Sequence, residues 1–398
     1  MSEGKVLYVT WMDKNDPRSI GVFKKLHSIE NTFRKSGYDV ALVCFNRKET
    51  VELEIDKKRV ATFEIPKTTV DLNLLNIYKR RKGLLSTLFE QVVDLYKHDV
   101  IIFRFVLADQ LLIRALKELK HRGIHIILDV PTYPYHKELK TSFYSFLKLS
   151  LDKFYGRMFK KYVDFVYSPS NEPYIFGIQN IQTTNGIDCS SIKIQRPRER
   201  KFGDLHFVSV ANVSFWHGYD RIIRGMCEYY KSNPSKPVYY HCVGEGDALP
   251  ELKKLVNELG LNSYVIFHGT KTGEELDKVV DECDIAFGSL GNHRKGLYAD
   301  SALKNREYCA RGIPFVIASE DQDFPETFPF VYRIPKDDTP VDINQVIKWY
   351  ESLIKEHPNY SMEMRKYAEQ NLSWDAKMKP VIEKIKELAR EKERKTNT

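Results

Sequence analysis

Short apolar runs alternate with longer amphipathic segments along the first 170 residues of the chain. Several runs are rich in β-branched and aromatic residues and predict strands, at 5–10, 39–45, 59–65, 99–105, 124–129 and 164–168. Most of these runs lack polar positions, which is typical of parallel strands covered on both faces. Apolar residues spaced three and four apart predict helices between them, at 22–35, 84–96 and 110–121.

The same alternation restarts after residue 185. Strands are predicted at 205–211, 237–244, 264–269, 284–288 and 314–318, and helices at 219–230, 249–259, 274–283 and 301–311. Two such halves predict two doubly wound parallel sheets, Rossmann-like, that face each other across a cleft. We expect domains at 1–188 and 201–373, a linker at 189–200, and a helix at 374–398 that returns to the first domain.

Composition places the chain among ordinary globular proteins. It has 398 residues, 42% of them hydrophobic and 29% charged, which excludes collagen-like and largely disordered chains. No apolar run is long enough to span a bilayer, and the N-terminal apolar stretch is too short for a secretory signal, so we expect a soluble cytoplasmic protein. The six cysteines are scattered without a C-x-x-C pair, which argues against disulfides and against a metal site.

The net charge of +8 is unevenly distributed. Residues 1–188 hold 30 Lys and Arg against 22 Asp and Glu, whereas residues 189–398 hold 32 of each. The whole excess therefore lies in the first half, which predicts that this half faces an anionic partner.

Two segments of the second half suit phosphate binding. Gly244 and Gly246 follow a predicted strand, but Leu249 occupies the third glycine position of a dinucleotide fingerprint, which disfavours NAD. Asp300 or Ser301 is expected to cap the helix that follows, with Lys304 in or just after its first turn. The helix dipole disfavours a cation there, and a bound phosphate would remove the conflict.

Glu307 lies one turn beyond Lys304 on the same helix face, where its carboxylate could accept hydrogen bonds from the hydroxyls of a ribose. A solvated Lys–Glu pair on an exposed helix is the alternative interpretation.

At this helix the chain resembles a known family. Residues 307–316 (EYCARGIPFV) resemble the donor-site motif of family 4 glycosyltransferases with the GT-B fold, in which a glutamate precedes A-x-G-x-P-V. Further segments agree in order and spacing: 185–188 (NGID), 216–221 (WHGYDR), 243–246 (VGEG) and 265–269 (VIFHG).

The resemblance implies a hexosyltransferase of polysaccharide biosynthesis. It would move a sugar from a UDP-, GDP- or dTDP-linked donor to a glycan or lipid-linked acceptor, with retention, without a metal and without a further cofactor. Lys304 would stabilise the departing diphosphate, with His136 and Asp129 as the other catalytic candidates. Donor binding is expected from Gly21, His217, Gly244, Gly246, His268, Gly269, Arg294, Asp300, Ser301, Ala302, Leu303 and Glu307.

The chain departs from the family at two places. Ala299 stands where the family usually has a second glutamate, and the adjacent Asp300 is the candidate replacement. Asn212 and His217 stand where the family commonly has an arginine and a lysine that bind the diphosphate. Neutralisation of the diphosphate charge would then depend mainly on Lys304, with Arg294 or Lys295 as further candidates. These departures keep open a non-catalytic partner protein with this fold. A sugar-nucleotide epimerase with the GT-B fold is a further alternative.

In the first half, His136 and Asp129 belong to a Pro- and Tyr-rich segment after a predicted strand, which suits either a reaction centre or an ordinary rigid loop. Gly21 ends a loop, 11–21, that matches the family's glycine-containing loop. Residues 137–162 hold seven Lys and Arg and seven aromatic residues, which favours a peripheral contact with an anionic membrane. A helix that buries its rings in the core is the alternative, and no nucleic-acid motif accompanies the segment.

Overall fold

The computed structural model describes residues 3–16, 19–46, 50–64, 82–93, 96, 98–134, 143–195 and 203–396. The chain divides into two compact units. Unit 1 comprises Met1–Thr184 and Lys377–Thr398, and unit 2 comprises Asn185–Ala376.

Unit 1 contains a nine-stranded sheet in the order β4-β3-β2-β1-β5-β6-β7-β9-β8. Its central strands are parallel and apolar, and Leu7, Ile101 and Ile126 are completely buried in register with their neighbours. The strands are β1 Gly4–Asp13, β2 Tyr38–Asn46, β3 Thr50–Ile55, β4 Lys58–Glu64, β5 Val100–Arg104, β6 His125–Asp129, β7 Phe165–Ser168, β8 Tyr174–Ile175 and β9 Ile178–Gln182.

Both edges of this sheet differ from the predicted all-parallel arrangement. At one edge, β8 pairs antiparallel with β9. The other edge has two antiparallel pairs. β3 pairs antiparallel with β2, and β4 pairs antiparallel with β3. The sequence prediction missed β3 because its alternation of Val51, Glu52, Leu53 and Glu54 interrupts the apolar run. The two glutamates are nevertheless buried and form ion pairs with Lys14, which allows the segment to lie within the sheet.

The helices of unit 1 cover the sheet through apolar stripes. Asp109 caps the helix Gln110–His121 by accepting a hydrogen bond from the Leu112 N–H at 2.8 Å. The predicted helix at 84–96 is described as a helical segment at 82–93 that contains a π-helical turn, Leu88–Val92. The α-helices are α1 Ile20–Lys35, α2 Gln110–His121 and α3 Phe143–Gly156.

Unit 2 contains a six-stranded parallel sheet in the order β12-β11-β10-β13-β14-β15. In chain order this is 3-2-1-4-5-6, the Rossmann arrangement. The strands are β10 Leu205–Val210, β11 Val238–Val243, β12 Val265–Gly269, β13 Ile285–Phe287, β14 Phe315–Ile317 and β15 Val331–Arg333. The helices are α4 Asp220–Lys231, α5 Leu249–Glu258, α6 Gly273–Asp281, α7 Leu303–Arg311, α8 Ile343–Glu356 and α9 Tyr360–Tyr367.

The last helix, α10 Trp374–Thr396, contains Pro380 and supplies the C-terminal part of unit 1. Its Met378, Val381 and Ile385 are buried. Among the described residues, no helix combines the length and the apolar character that crossing a bilayer requires.

Candidate functional site

The strand order of unit 2 reverses direction at β10, so the carboxyl ends of β10 and β13 are where a doubly wound sheet binds its ligand. The loop after β10 contains a 3₁₀ turn, Phe215–His217, and the loop after β13 contains another, Asn292–Lys295. Gly218 and Gly291 bring the two loops together, since a Cβ at Gly218 would lie 2.7 Å from the Gly291 nitrogen. Helix α7 follows the second loop.

The predicted cap of α7 is wrong. Ala302 occupies the N-cap position, and no side chain caps the first turn. Asp300 instead accepts hydrogen bonds from Asn292 and from the Ser319 hydroxyl, the latter at 3.1 Å. The Ser301 hydroxyl accepts from the Asn185 N–H at 3.3 Å. The local pattern did not reveal these long-range partners.

Lys304 is therefore the second residue of α7. It lies one position closer to the helix N-terminus, the positive end of the helix dipole, than it would if Ser301 were the cap. Its Nζ donates to the Tyr219 hydroxyl at 3.2 Å and lies 5.6 Å from the centroid of the Tyr219 ring. Burial lowers the pKa of Lys304 to about 7; Lys295 adds to that effect, while Asp300 opposes it. A nearby anion would return the pKa of this amine toward its ordinary value.

His217 lies next to the same tyrosine. Its Nδ1 accepts a hydrogen bond from the Ser214 N–H at 3.0 Å, which assigns the proton of the neutral ring to Nε2. The ring stacks on Tyr219 with centroids 5.4 Å apart. Burial, followed by Lys304 and Lys295, lowers the pKa of His217 to about 3, so the imidazole is a neutral hydrogen-bond donor at physiological pH.

Lys295 is the third basic group of this cluster. Its Nζ lies 4.5 Å from the centroid of the Trp216 ring, and burial lowers its pKa. Among the described residues, neither Lys304, Lys295 nor His217 forms an ion pair with a carboxylate. Lys295 lowers the pKa of Lys304, and both lysines lower the pKa of His217. We call these three residues the basic cluster.

Arg294, the other residue predicted to help neutralise the diphosphate, has different surroundings from Lys295. Its guanidinium donates to both carboxylate oxygens of Asp220 at 2.8 and 2.9 Å, to Asp338 at 2.7 Å and to the Phe215 carbonyl at 2.8 Å. These bonds raise the pKa of Arg294 and join the two loops. A direct contact between Arg294 and a phosphate would require some of them to break.

Glu307 lies one turn beyond Lys304 and remains partly exposed. Its Oε1 accepts from Arg311 at 3.0 and 3.1 Å, and Arg311 also pairs with Asp277. The alternative of a Lys304–Glu307 ion pair is wrong, because each residue has another partner. Glu307 as a ribose ligand stays a prediction.

The predicted glycines form a turn whose backbone approaches another backbone closely. Gly244 has φ of 121°, and a Cβ there would lie 1.8 Å from the Ala211 carbonyl oxygen. A Cβ at Gly246 would lie 2.2 Å from the Val213 carbonyl oxygen. Gly269 accepts a hydrogen bond from the Gly244 N–H at 2.7 Å. These glycines position the loop after β10, and the structure explains them without a ligand. Two predicted residues of unit 2 are left: Leu303 is exposed at the start of α7, and His268 precedes Gly269 and bonds to His241.

Two predicted residues of unit 1 are described. Asp129 ends β6, is buried, and accepts from the Tyr8 hydroxyl and from Arg104 at 2.7 Å. Burial, then Asp129, raises the pKa of Tyr8. Gly21 is exposed near the start of α1. His136 lies outside the described residues.

The chain matches no family model and no curated protein. It is similar to solved structures over nearly its whole length. A glycosyltransferase from Rickettsia africae ESF-5 is 12% identical, with a TM-score of 0.64 over 97% of this chain and 98% of that one. The chain has the GT-B fold. A sucrose-phosphate synthase from Thermosynechococcus elongatus is 12% identical with a TM-score of 0.60, and HepE of Anabaena with bound UDP is 13% identical with 0.59; each comparison covers 96% of this chain and 99% of the other.

Sequence reasoning overlooked Tyr219, the residue that brings the basic cluster together. Tyr219 is buried, and it contacts both Lys304 and His217. Tyr219 belongs to the segment 216–221, but the family resemblance there concerned the position of His217 and gave no separate role to the tyrosine.

Proposed function

We propose that this protein is a glycosyltransferase that uses a nucleotide-sugar donor bound by unit 2. The basic cluster at the start of α7 carries the proposal, because it lies at the reversal point of a Rossmann-ordered sheet and lacks a carboxylate partner among the described residues. The first-turn N–H groups of α7 and the Lys304 amine would bind the diphosphate, and they would stabilise its charge as the sugar departs.

The proposed chemistry follows the family resemblance. Transfer would retain the anomeric configuration and need no metal, since the basic cluster supplies the positive charge. HepE, which shares the fold, was solved with UDP and with UDP-glucose, and this supports UDP-linked sugars as the first donors to test.

The decisive experiment measures binding of UDP-, GDP- and dTDP-linked sugars by thermal shift and calorimetry, with Lys304→Met as the test variant. A ligand at a hundred times its Kd should stabilise unit 2 by about 2.7 kcal/mol. Lys355→Met is the matched control, because Lys355 is an exposed lysine of the same unit on α8. If no nucleotide-sugar binds, or if Lys304→Met binds as well as the wild type, the proposal fails.

A companion variant tests the ribose contact. Glu307→Gln should weaken nucleotide-sugar affinity by about one to two orders of magnitude, because a hydrogen bond to a charged group contributes roughly 1.5–3 kcal/mol. Unchanged affinity would leave Glu307 with only its structural bond to Arg311.

For the acceptor we propose a glycan or lipid-linked sugar presented at an anionic membrane. Leu151 and Phe154 of α3 are 49% and 60% exposed; the exposed Lys153 lies between them in sequence, and the exposed Arg157 and Lys160 follow. Phe159 is instead completely buried, so the aromatic residues of 137–162 divide between surface and core. The side chains of 137–148 lie outside the described residues.

A non-catalytic sugar-nucleotide-binding protein is the second candidate. Ala299 replaces a usual glutamate, and Asn292 and Ser319 already engage the neighbouring Asp300. Donor binding without hydrolysis or transfer across a panel of acceptors would favour this candidate.

A further inference from the structure

Three histidines form a hydrogen-bonded row across three adjacent strands of unit 2. The Nδ1 of His206 lies 2.8 Å from the Nε2 of His241, and the Nδ1 of His241 lies 2.8 Å from the Nε2 of His268. At the other end, the Nε2 of His206 lies 3.3 Å from a carboxylate oxygen of Asp204. We call these four residues the histidine row.

Strand register explains the course of the row. His206 on β10 is opposite Tyr239, and His241 on β11 is two residues further along that strand. His241 is in turn opposite Ile266, and His268 on β12 is again two residues further. Since residues two apart share a face of a strand, the three rings lie on one face and advance diagonally toward the carboxyl edge of the sheet.

The chemistry of Asp204 fixes the direction of every hydrogen bond in the row. An ionised carboxylate only accepts, so the Nε2 of His206 must carry a proton, and a ring that carries a single proton must then accept at Nδ1. His241 then donates from Nε2 and accepts at Nδ1, and His268 donates from Nε2. Each ring therefore determines which nitrogen of the next ring carries the proton, in the same way that a carboxylate fixes the tautomer of a single histidine.

His268 is left with its Nδ1 as an acceptor. Among the described residues this nitrogen has no hydrogen-bond partner. Burial, followed by Lys271, lowers the pKa of His268, which keeps the ring neutral at physiological pH. Asp284 is a further charged group at the row, and it accepts from the backbone N–H of His206 at 2.9 Å. No cluster of three or more potential ligands in the described part of the chain is arranged for a metal ion.

We propose that Asp204, His206 and His241 are positioning residues that fix the tautomer of His268, so that its Nδ1 accepts a hydrogen bond from an N–H or O–H group of the nucleotide. This inference rests on the proposed function for its ligand. His268 immediately precedes Gly269, whose carbonyl accepts from the Gly244 N–H of the adjoining turn. His268 thus lies at the edge of the sheet where a Rossmann-ordered unit binds its ligand.

The first test observes the row without a ligand, by ¹⁵N NMR of the imidazole nitrogens of the full chain near pH 8. The wild type should show a protonated Nε2 in all three rings and an unprotonated Nδ1 in His268. Asp204→Asn introduces a donor beside His206. In a fraction of the molecules the hydrogen bonds of the row should then run in the opposite direction, which places a proton on the Nδ1 of His268. Asp204→Glu keeps an acceptor and should restore the wild-type pattern. A protonated Nδ1 in wild-type His268, or His268 nitrogens unchanged by Asp204→Asn, would overturn the proposal.

The second test titrates UDP into the same variants. Loss of one hydrogen bond should weaken binding by about two- to tenfold in His268→Phe, and by less in Asp204→Asn, with Asp204→Glu at the wild-type level. Unchanged UDP affinity in His268→Phe would overturn the ligand contact. If the wild type binds none of UDP, GDP and dTDP, the proposed function fails instead, and the NMR result still decides whether the row fixes His268.

Discussion

The charge of Lys304 should couple donor binding to pH. In the free protein, burial lowers the pKa of this amine to about 7, and the described residues offer it a tyrosine hydroxyl rather than a carboxylate. A diphosphate beside Nζ favours the ammonium form, so binding should raise the pKa and take up protons from solution.

The size of the effect follows from that shift. If the bound diphosphate restores the pKa to the ordinary lysine value of about 10.4, affinity should be nearly constant below pH 7 and fall by up to tenfold for each pH unit above it. From about pH 7 to pH 9 this amounts to at most a hundredfold, or ~2.7 kcal/mol. Lys304 remains partly exposed, so solvent screening should reduce that figure.

Calorimetry in two buffers of different ionisation enthalpy counts the protons directly. At pH 7 the free amine is about half protonated, so binding should take up about half a proton, and close to one proton by about pH 8.5. Lys304→Arg should bind without this uptake, because guanidinium stays charged, and Lys304→Met should bind weakly at every pH. Equal proton uptake by the wild type and Lys304→Met would refute the assignment to this amine.

Four other outcomes follow from the structure. Without ligand, the free energy of unfolding should rise with pH between about 7 and 10.4, because the unfolded chain binds the Lys304 proton more tightly; Lys304→Met should make that rise smaller in a urea titration series, and other lysines with a lowered pKa, such as Lys295, should account for what is left. Gly244→Ala should cost more than about 3 kcal/mol by chemical denaturation, whereas Gly260→Ala, where φ is 68° and the space is open, should cost about 1–2 kcal/mol. Arg294→Ala should destabilise unit 2 by about 1–2 kcal/mol while nucleotide affinity changes little, since its partners are Asp220 and Asp338; an equal loss of affinity would assign it to the ligand. Reversing Lys148, Lys153, Arg157 and Lys160 to glutamate should abolish low-salt flotation with acidic vesicles and leave nucleotide binding intact, and wild-type protein that ignores such vesicles would favour a soluble acceptor.

The sequence predicted most of the sheet cores because buried parallel strands are continuous apolar runs. The predicted strand at 205–211 and helix at 110–121 agree with β10 and α2 to within one residue. β3 was missed because two of its positions are buried glutamates, which form ion pairs with Lys14 in the turn after β1. β15, α8 and α9 were not predicted either.

The candidate site was predictable only where its residues follow a local sequence pattern. Lys304 and His217 were selected through local spacing and family resemblance, but their shared partner Tyr219, and the lowering of the His217 pKa by Lys304, depend on contacts between separate segments. The cap of α7 was predicted wrongly because Asp300 binds Asn292 of the preceding loop, and because Ser301 binds Asn185, which is distant in sequence. The histidine row could not be predicted at all, since it depends on the register of three strands.

The division of unit 1 into two stretches of chain has a consequence for biosynthesis. A ribosome adds about 5–20 residues per second, and domains generally fold as they emerge. Unit 2 is contiguous, so all of it is synthesised before Lys377–Thr398, the segment that completes unit 1. The apolar surface that Met378, Val381 and Ile385 later cover stays open to water throughout that interval. The nascent chain therefore presents unit 1 to chaperones as an unfinished domain while unit 2 folds to completion.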